Sequence, residues 1–291
     1  MMQDAIQLSL FADECMPKDN EKVINVASVP QRSPFRYAGG KTWLVPTIRK
    51  WLAGGVRLLV EPFCGGGTVG ITSAAENLAR SVLMVEKDEE VAAVWEVILS
   101  DGEWLANRIL SFQMTRDNVN EVISNEPSDI KELAFRTIIK NRTFHGGILA
   151  KGAGLIKQGE NGKGLKSRWY PQTIARRIRD IAANKDKISF VCGDAFDYLS
   201  SEEYGEDTYF FIDPPYYVAG KRLYTLSDVN HEELFDCVSK LKSHYLLTYD
   251  NNEYILSLVK KYNLEWRTIP MQTTHLIQKE ELLISDNFDW L

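Results

Sequence analysis

The stretch Tyr209-Phe210-Phe211-Ile212-Asp213-Pro214-Pro215-Tyr216-Tyr217 constrains the fold more than any other part of the chain. Four apolar residues predict a buried strand, and two successive prolines end it, because proline has no N–H for a ladder and disfavours helix in the residue before it. An acid and an aromatic are thereby held at the carboxyl end of a strand, where open α/β sheets bind ligands. Asp213 offers one hydrogen-bond acceptor, the carbonyl of Pro214 a second, and Tyr216 a ring face for a flat partner. Two acceptors beside a stacking surface suit the exocyclic amine of a base. A Pro-rich turn with a solvated Asp is the plainer alternative, and other motifs must decide between them.

The second signal lies earlier. A strand, Arg57-Leu58-Leu59-Val60, leads into Glu61-Pro62-Phe63-Cys64-Gly65-Gly66-Gly67-Thr68-Val69-Gly70, and a helical stretch follows to about residue 79. Gly65, Gly67 and Gly70 satisfy G-x-G-x-x-G between strand and helix, as nucleotide-type cofactors require. The next strand, Ser81-Val82-Leu83-Met84-Val85, ends in Glu86, where a carboxylate reaches ribose hydroxyls. NAD fits this outline, but Glu61 beside the turn repels a pyrophosphate and welcomes a cation. S-adenosylmethionine, with its sulfonium and amino group, is the better match. Upstream, Ser33-Pro34-Phe35-Arg36-Tyr37-Ala38-Gly39-Gly40-Lys41 runs into a helix expected from Thr42, and its glycine pair allows close approach to a ligand. It is not a P-loop, because G-x-x-x-x-G-K-[ST] is absent.

At 291 residues, 44% hydrophobic and 25% charged, the composition is that of a globular protein with a sizeable core. No apolar run reaches the roughly 20 residues that cross a bilayer, and the start carries Asp4 and no basic n-region, so no membrane span or secretory signal is expected. Cys15, Cys64, Cys192 and Cys237 are scattered, which argues against zinc and against a disulfide framework, and places the chain in a reducing cytoplasm. The net charge of −6 conceals an asymmetry: residues 131–187 hold fourteen Lys and Arg against four acids, a surplus of ten that leaves the remainder sixteen negative. With Phe144, His145, Trp169 and Tyr170 interleaved, this segment reads as a nucleic-acid contact, the alternative being a solvated charged helix. Within it, residues 133–145 are expected to be helical, 146–167 a Gly- and Lys-rich loop, and 173–183 a basic helix with Arg176, Arg177 and Arg179.

Taken together, the motifs resemble the Dam-like DNA adenine N6-methyltransferases of the DPPY class. Phe35 to Lys41, Glu61-Pro62-Phe63 with its glycine turn, and Asp213-Pro214-Pro215-Tyr216 stand in that family's order, with a recognition segment before the last. The resemblance covers roughly residues 33–291. It implies an α/β, Rossmann-like methyltransferase sheet, mainly parallel, closing in an antiparallel hairpin at Trp266-Arg267-Thr268-Ile269 and Glu281-Leu282-Leu283-Ile284, with an inserted helical DNA-recognition domain. The expected organisation is a flexible leader over 1–32, a catalytic domain over 33–99 and 188–291, and the insert over 100–187.

Residue by residue, the resemblance implies S-adenosylmethionine contacts from Tyr37, Gly39, Lys41, Glu61, Phe63, Gly65 and Gly67. Glu86 meets the ribose, Asp194 and Ala195, after the strand Ile188-Ser189-Phe190-Val191, meet the adenine end, and Asp213 lies near the methyl. Asp213, Pro214 and Tyr216 are the catalytic set, and Arg142, His145, Lys151, Lys166, Arg168, Arg176 and Arg177 the DNA contacts; no metal is implied. Glu86 stands where the family commonly has Asp, and His145 where it favours Asn. Asn251 and Asn252, at another strand's end, either line the pocket or form a solvated turn.

The implied reaction is methylation of N6 of an adenine flipped out of double-stranded DNA, by a monomer or weak dimer, bacterial or phage-encoded and nucleoid-associated, with or without a companion restriction enzyme. N4-cytosine or RNA N6-adenine methylation uses the same acceptor pair. A nicotinamide-dependent oxidoreductase explains the glycine turn but not Asp213 to Tyr216, and a non-catalytic DNA-binding module leaves the turn unexplained. In the leader, Gln7-Leu8-Ser9-Leu10-Phe11 resembles the short peptide by which bacterial proteins dock on the sliding clamp, and the same apolar residues would otherwise pack the leader on its own domain.

Overall fold

The apolar runs expected as strands pair into one sheet. The computed structural model describes residues 29–36, 40–150, 152–159, 162–217, 229–272 and 278–291. Tyr37, Gly39, Lys151 and the clamp-like peptide at 7–11 lie outside the described residues. The strands β1 (Val56–Glu61), β2 (Ala79–Glu86), β3 (Ile188–Cys192), β4 (Thr208–Ile212), β5 (His244–Asp250), β6 (Glu265–Gln272) and β7 (Gln278–Ser285) stand in the order β3-β2-β1-β4-β5-β7-β6. β1 pairs in parallel with both β2 and β4, β2 with β3, and β4 with β5, whereas β7 is antiparallel to both β5 and β6. The sheet is thus Rossmann-like, mainly parallel, with the expected reversed hairpin at its C-terminal edge.

Strand alternation divides the apolar residues between two cores. Leu59, Phe211, Leu246 and Leu283 point to one face, and Val60, Phe210, Leu247 and Leu282 to the other, all at most 1% exposed. Full burial of each such side chain contributes roughly 1.5–3 kcal/mol. The first face is covered by α1 (Val45–Trp51), α2 (Thr68–Ala75), α3 (Glu89–Ser111), α5 (Ile130–Thr143) and α6 (Pro171–Ala182), with α4 (Arg116–Ser124) packed on α5. The second is covered by α7 (Ala195–Leu199), α8 (His231–Ser239) and α9 (Glu253–Lys261). Among the described residues no helix is long and apolar enough to cross a membrane.

Several element ends differ from the sequence-based expectation. Lys41–Leu44 is a 3-10 turn, and α1 begins only at Val45, with Pro46 early in it, where a missing N–H costs no helical bond. The helix after the glycine turn stops at Ala75 rather than near 79, because Asn77 adopts a left-handed φ of 56° and turns the chain into β2. Residue 100, the expected start of the insert, falls inside α3, next to its kink at Asp101. Ala134, Phe135, Ile138 and Ile139 of α5 and Ile174, Ile178 and Ile181 of α6 join the same core as Val94, Trp95 and Leu105 of α3. Residues 100–187 therefore share the sheet's core instead of building a separate one.

This packing also consumes part of the basic surplus. Lys131 pairs with Asp101 at 2.6 Å, Arg136 and Lys140 with Glu90, and Arg179 with Glu103 at 2.7 Å. Four of the segment's cations thus tie it to α3, so its outward charge is smaller than composition suggests.

The glycine turn is set by sterics. Gly67 has φ 60°, and a Cβ there would lie 2.7 Å from Met84 Cε and 2.9 Å from Trp95 Cζ2. Gly67→Ala should cost about 2–4 kcal/mol, combining left-handed strain with overpacking. Urea unfolding is the check, and a wild-type midpoint would refute this account of the turn.

Candidate active site

Two turns leave neighbouring strands on the same edge of the sheet, one after β1 and one after β4. The first is held from three sides. Cys64 N–H donates to the Val85 carbonyl at 2.9 Å, Trp95 Nε1 donates to the Gly65 carbonyl at 2.9 Å, and Gly65 N–H donates to Glu86 Oε2 at 2.9 Å. Glu86 Oε1 also accepts from the N–H groups of Lys87 and Asp88 at 2.9 and 2.8 Å. Burial pushes the Glu86 carboxyl up to about 7, against these backbone bonds. Glu61, 3% exposed, accepts from Gly70 N–H at 2.8 Å with Oε2. Its carboxyl is pushed up to about 8 by burial, opposed by that bond and reinforced by the Asp213 charge.

These residues fit S-adenosylmethionine. A desolvated acid at the turn is a counter-charge for a sulfonium or an amino group, and a carboxylate at the end of β2 accepts from hydroxyls. The Gly65 and Gly67 backbone, at φ 45° and 60°, leaves no side chain on the approach. Phe63 and Phe196 meet edge to face, 6.4 Å between ring centroids, beside Ala195, which is buried at the start of α7. Asp194 caps that helix, accepting from Phe196 N–H at 3.0 Å, and pairs with Lys87.

The second turn carries a charged cluster. Lys41, 4% exposed, places its ammonium 2.8 Å from Asp213 Oδ1, 2.8 Å from the Tyr216 hydroxyl and 4.0 Å from Glu281 Oε1. Tyr216 donates to Glu281 Oε1 at 2.8 Å, and Thr248 Oγ1 donates to Asp213 Oδ1 at 2.8 Å. Burial alone would lower the Lys41 pKa, but Asp213 and Glu281 outweigh it and hold the ammonium above its ordinary value. Pro214 is buried, and the Tyr216 ring lies 5.9 Å from that of Tyr249.

Lys41, expected as a cofactor contact, is brought by the structure against the Asp213 carboxylate. Glu281 and Thr248 were expected only as strand residues. The signal for Glu281 was an acid opening the otherwise apolar run Leu282-Leu283-Ile284, which on a central strand demands a buried partner. Asn252 caps α9, accepting from Ile255 N–H at 3.0 Å, and Asn251 reaches Glu280, so both hold local structure.

Of the expected DNA contacts, His145, Lys166 and Arg176 are exposed, and Arg168 and Arg177 half-buried. Arg142 differs from these: it is 7% exposed and donates to the Pro34 carbonyl. Burial, and then Arg177, Arg36 and Arg168, pull its pKa down to about 10. Arg177 donates to the Ser33 carbonyl at 3.0 Å, and Asn141 clasps the Arg36 backbone in both directions, accepting from its N–H at 2.8 Å and donating to its carbonyl at 2.9 Å. The end of α5 thereby braces the segment that leads to Lys41. Arg32, Arg176 and Arg177, with Asp180, line a pocket of about 380 Å³ between α2, α6 and residues 30–32.

Comparison with known proteins identifies the family. The family model described as D12 class N6 adenine-specific DNA methyltransferase matches residues 37–271. The Type II methyltransferase M.MjaIII of Methanocaldococcus jannaschii is 23% identical over 69% of this chain and 76% of its own length. The DNA N-6-adenine-methyltransferase of Escherichia phage P1 is 26% identical over 67% of this chain, and the match spans only 25% of that longer protein. The rRNA methyltransferase aviRa from Streptomyces viridochromogenes aligns at 14% identity over 84% of this chain and 83% of that one, with a TM-score of 0.39, too distant to bear on the site.

The raised Glu61 carboxyl makes a signed prediction. A carboxyl that holds its proton to about 8 when folded, and to about 4.5 when unfolded, makes the folded state the better proton binder between these values. Its contribution to stability is present below pH 4.5 and is lost as pH rises through about 8. Without cofactor, Glu61→Gln should flatten the fall in unfolding free energy between pH 5 and 8. Identical slopes for variant and wild type would contradict it.

Proposed function

The chain belongs to the D12 class N6 adenine-specific DNA methyltransferase family, an S-adenosylmethionine-dependent group, and on that premise we propose that it methylates N6 of an adenine flipped out of double-stranded DNA. What supports this reading most is the Asp213 and Tyr216 turn standing one strand from the glycine turn, so that an acceptor for an amine and a site for a methyl donor share one edge. An amine inside a duplex cannot be reached in line, and flipping costs a few kcal/mol of unstacking.

Bound S-adenosylmethionine supplies an electrophilic methyl on its sulfonium. The chain's residues prepare the other partner. The N6 lone pair is delocalised into the purine ring, and hydrogen bonds from its protons to Asp213 and to the Pro214 carbonyl favour a more tetrahedral nitrogen with its lone pair free to attack. Lys41 and Thr248 both bond Asp213 through Oδ1, which fixes the carboxylate and leaves Oδ2 to accept from the amine. The Tyr216 ring, anchored through its hydroxyl, offers a face to the base. Buried charges held this rigidly lower the cost of reaching an aligned geometry, and alignment supplies most of the rate in a direct displacement.

The division of labour proposed here is catalytic residues on 33–99 and 188–291 with DNA contacts from 100–187. Arg176 and Arg177 grip the phosphate backbone beside the 380 Å³ pocket they line, and Lys166, Arg168 and His145 approach the duplex from the preceding loop. Arg142 acts indirectly, by holding the Pro34 backbone beside the Arg36 backbone that Asn141 clasps.

Two experiments test this. With labelled cofactor and unmethylated plasmid, the wild type should yield N6-methyladenine, and Asp213→Ala should lose at least about a hundredfold in rate, about 2.7 kcal/mol. Label in cytosine, or in RNA alone, would replace the adenine-in-DNA reading. Arg176→Ala should weaken DNA binding evenly across sequences and reduce the slope of log K against log salt by about 1; an unchanged slope removes it from the phosphate contacts.

A further inference from the structure

The catalytic cluster contains one carboxylate more than a simple ion pair needs. Lys41 already pairs with Asp213 at 2.8 Å, yet Glu281, 2% exposed, sits 4.0 Å from the same ammonium and bonds Tyr216 instead. Its second oxygen, Oε2, is buried and has no hydrogen-bond partner among the described residues. An ionised carboxylate with an orphaned, desolvated oxygen is costly, and taking up a proton removes that cost. A residue that merely neutralised Lys41 would sit against it with both oxygens satisfied.

The bonds that reach Glu281 run in one direction. Lys41 contacts Asp213 and donates to the Tyr216 hydroxyl, and Tyr216 donates to Glu281. Asp213, Lys41, Tyr216 and Glu281 therefore form a connected series from the edge where an amine would arrive to a buried acid on β7, Lys41 donating to Tyr216 and Tyr216 to Glu281. Among the described residues the other ionisable group acting on Glu281 is Asp250, across the β5–β7 ladder from it; its partner on β6 is the apolar Ile269. Burial first, and then Asp213 and Asp250, raise the Glu281 carboxyl, while Lys41 and Tyr216 lower it, and the net direction is upward.

We propose that Glu281 is the terminus of a proton wire and receives the proton that N6 sheds on methylation. The proposal rests on the adenine reading above. Once its lone pair has formed the bond to the methyl carbon, N6 is cationic and carries one proton too many. One N–H bond of N6 breaks and an O–H bond forms on Asp213 Oδ2; the carboxyl, now neutral and no longer held by the ammonium's charge, turns about Cβ–Cγ to present that proton to Lys41. Lys41 gives a proton to the Tyr216 oxygen as Tyr216 gives its own to Glu281, and Lys41 is restored by the proton from Asp213. One proton has moved from N6 to Glu281; Asp213, Lys41 and Tyr216 end as they began. Glu281 never meets the substrate, so it is a positioning and proton-accepting residue behind the catalytic one.

The test is single-turnover methyl transfer to DNA by the full chain, from pH 6 to 9, in wild type, Glu281→Gln and Tyr216→Phe. Glutamine keeps the volume and the acceptor for Tyr216 but takes no proton, and phenylalanine keeps the stacking ring but cuts the series. Both should lose about 10- to 100-fold at pH 6.5, in the lower part of the range for positioned proton transfer. The deficit should shrink toward pH 9 and with added imidazole, cofactor affinity should be unchanged, and Glu281→Asp should recover part of the rate. Wild-type rates and pH profile in Glu281→Gln would overturn the wire, as would a loss that is equal at every pH and insensitive to imidazole, which marks a strut. A wild type that makes no N6-methyladenine would instead defeat the adenine reading, and the wire would fall with it.

Discussion

The structure around the site depends on one buried ammonium. Lys41 comes from a turn ahead of the sheet, and Asp213, Tyr216 and Glu281 beside it come from the end of β4 and from β7, elements separated by up to 240 residues of chain. A lysine buried without counter-charge would shed its proton or leave the core. Here two carboxylates hold the charge, so folding must bring the N-terminal turn, the catalytic turn and the C-terminal hairpin together before the ammonium is satisfied. The same contacts fix Asp213 and Tyr216 in place. Stability and preorganisation are one set of bonds.

The second constraint is topological. β1 lies between β2 and β4, and the strand order reverses at the β1–β4 boundary, so the turns after both strands open on the same crevice. Any fold with this order places a ligand there. What distinguishes it is the character of each turn: one is glycine-rich and backed by two desolvated acids, and the other is stopped by proline and carries an acid and an aromatic. The basic segment adds a third layer, and half of its work is internal. Four of its cations bind α3, and its buried Arg142 and Asn141 bond the backbone of Pro34 and Arg36, so its helices, α3 and residues 34–36 are packed together.

Much of this was legible in the chain before any fold was known. Apolar runs marked the strands that lead into the glycine turn and into Asp213, and glycine spacing and the Pro-Pro stop marked the turns themselves, because each is a local rule in which backbone sterics act within a few residues; the C-terminal hairpin came only from the family resemblance. Charge could be counted but not aimed: composition shows a surplus in 131–187, whereas only packing shows that Lys131, Arg136, Lys140 and Arg179 face acids on α3. Arg142 looked like a DNA ligand for the same reason, since a basic residue at the end of a helix carries no mark in sequence of which way that helix will turn.

The chain by itself therefore marked the glycine turn and the proline-stopped turn, since those depend on φ, on missing N–H groups and on short spacing, and it gave the sheet's class through its resemblance to a family. Tertiary structure alone decided that Lys41 belongs to Asp213, that Glu281 stands behind Tyr216, and which arginines are buried. Those are contacts between residues far apart in sequence, and no local propensity encodes them; they exist because desolvated charges must find one another once the sheet has closed around them.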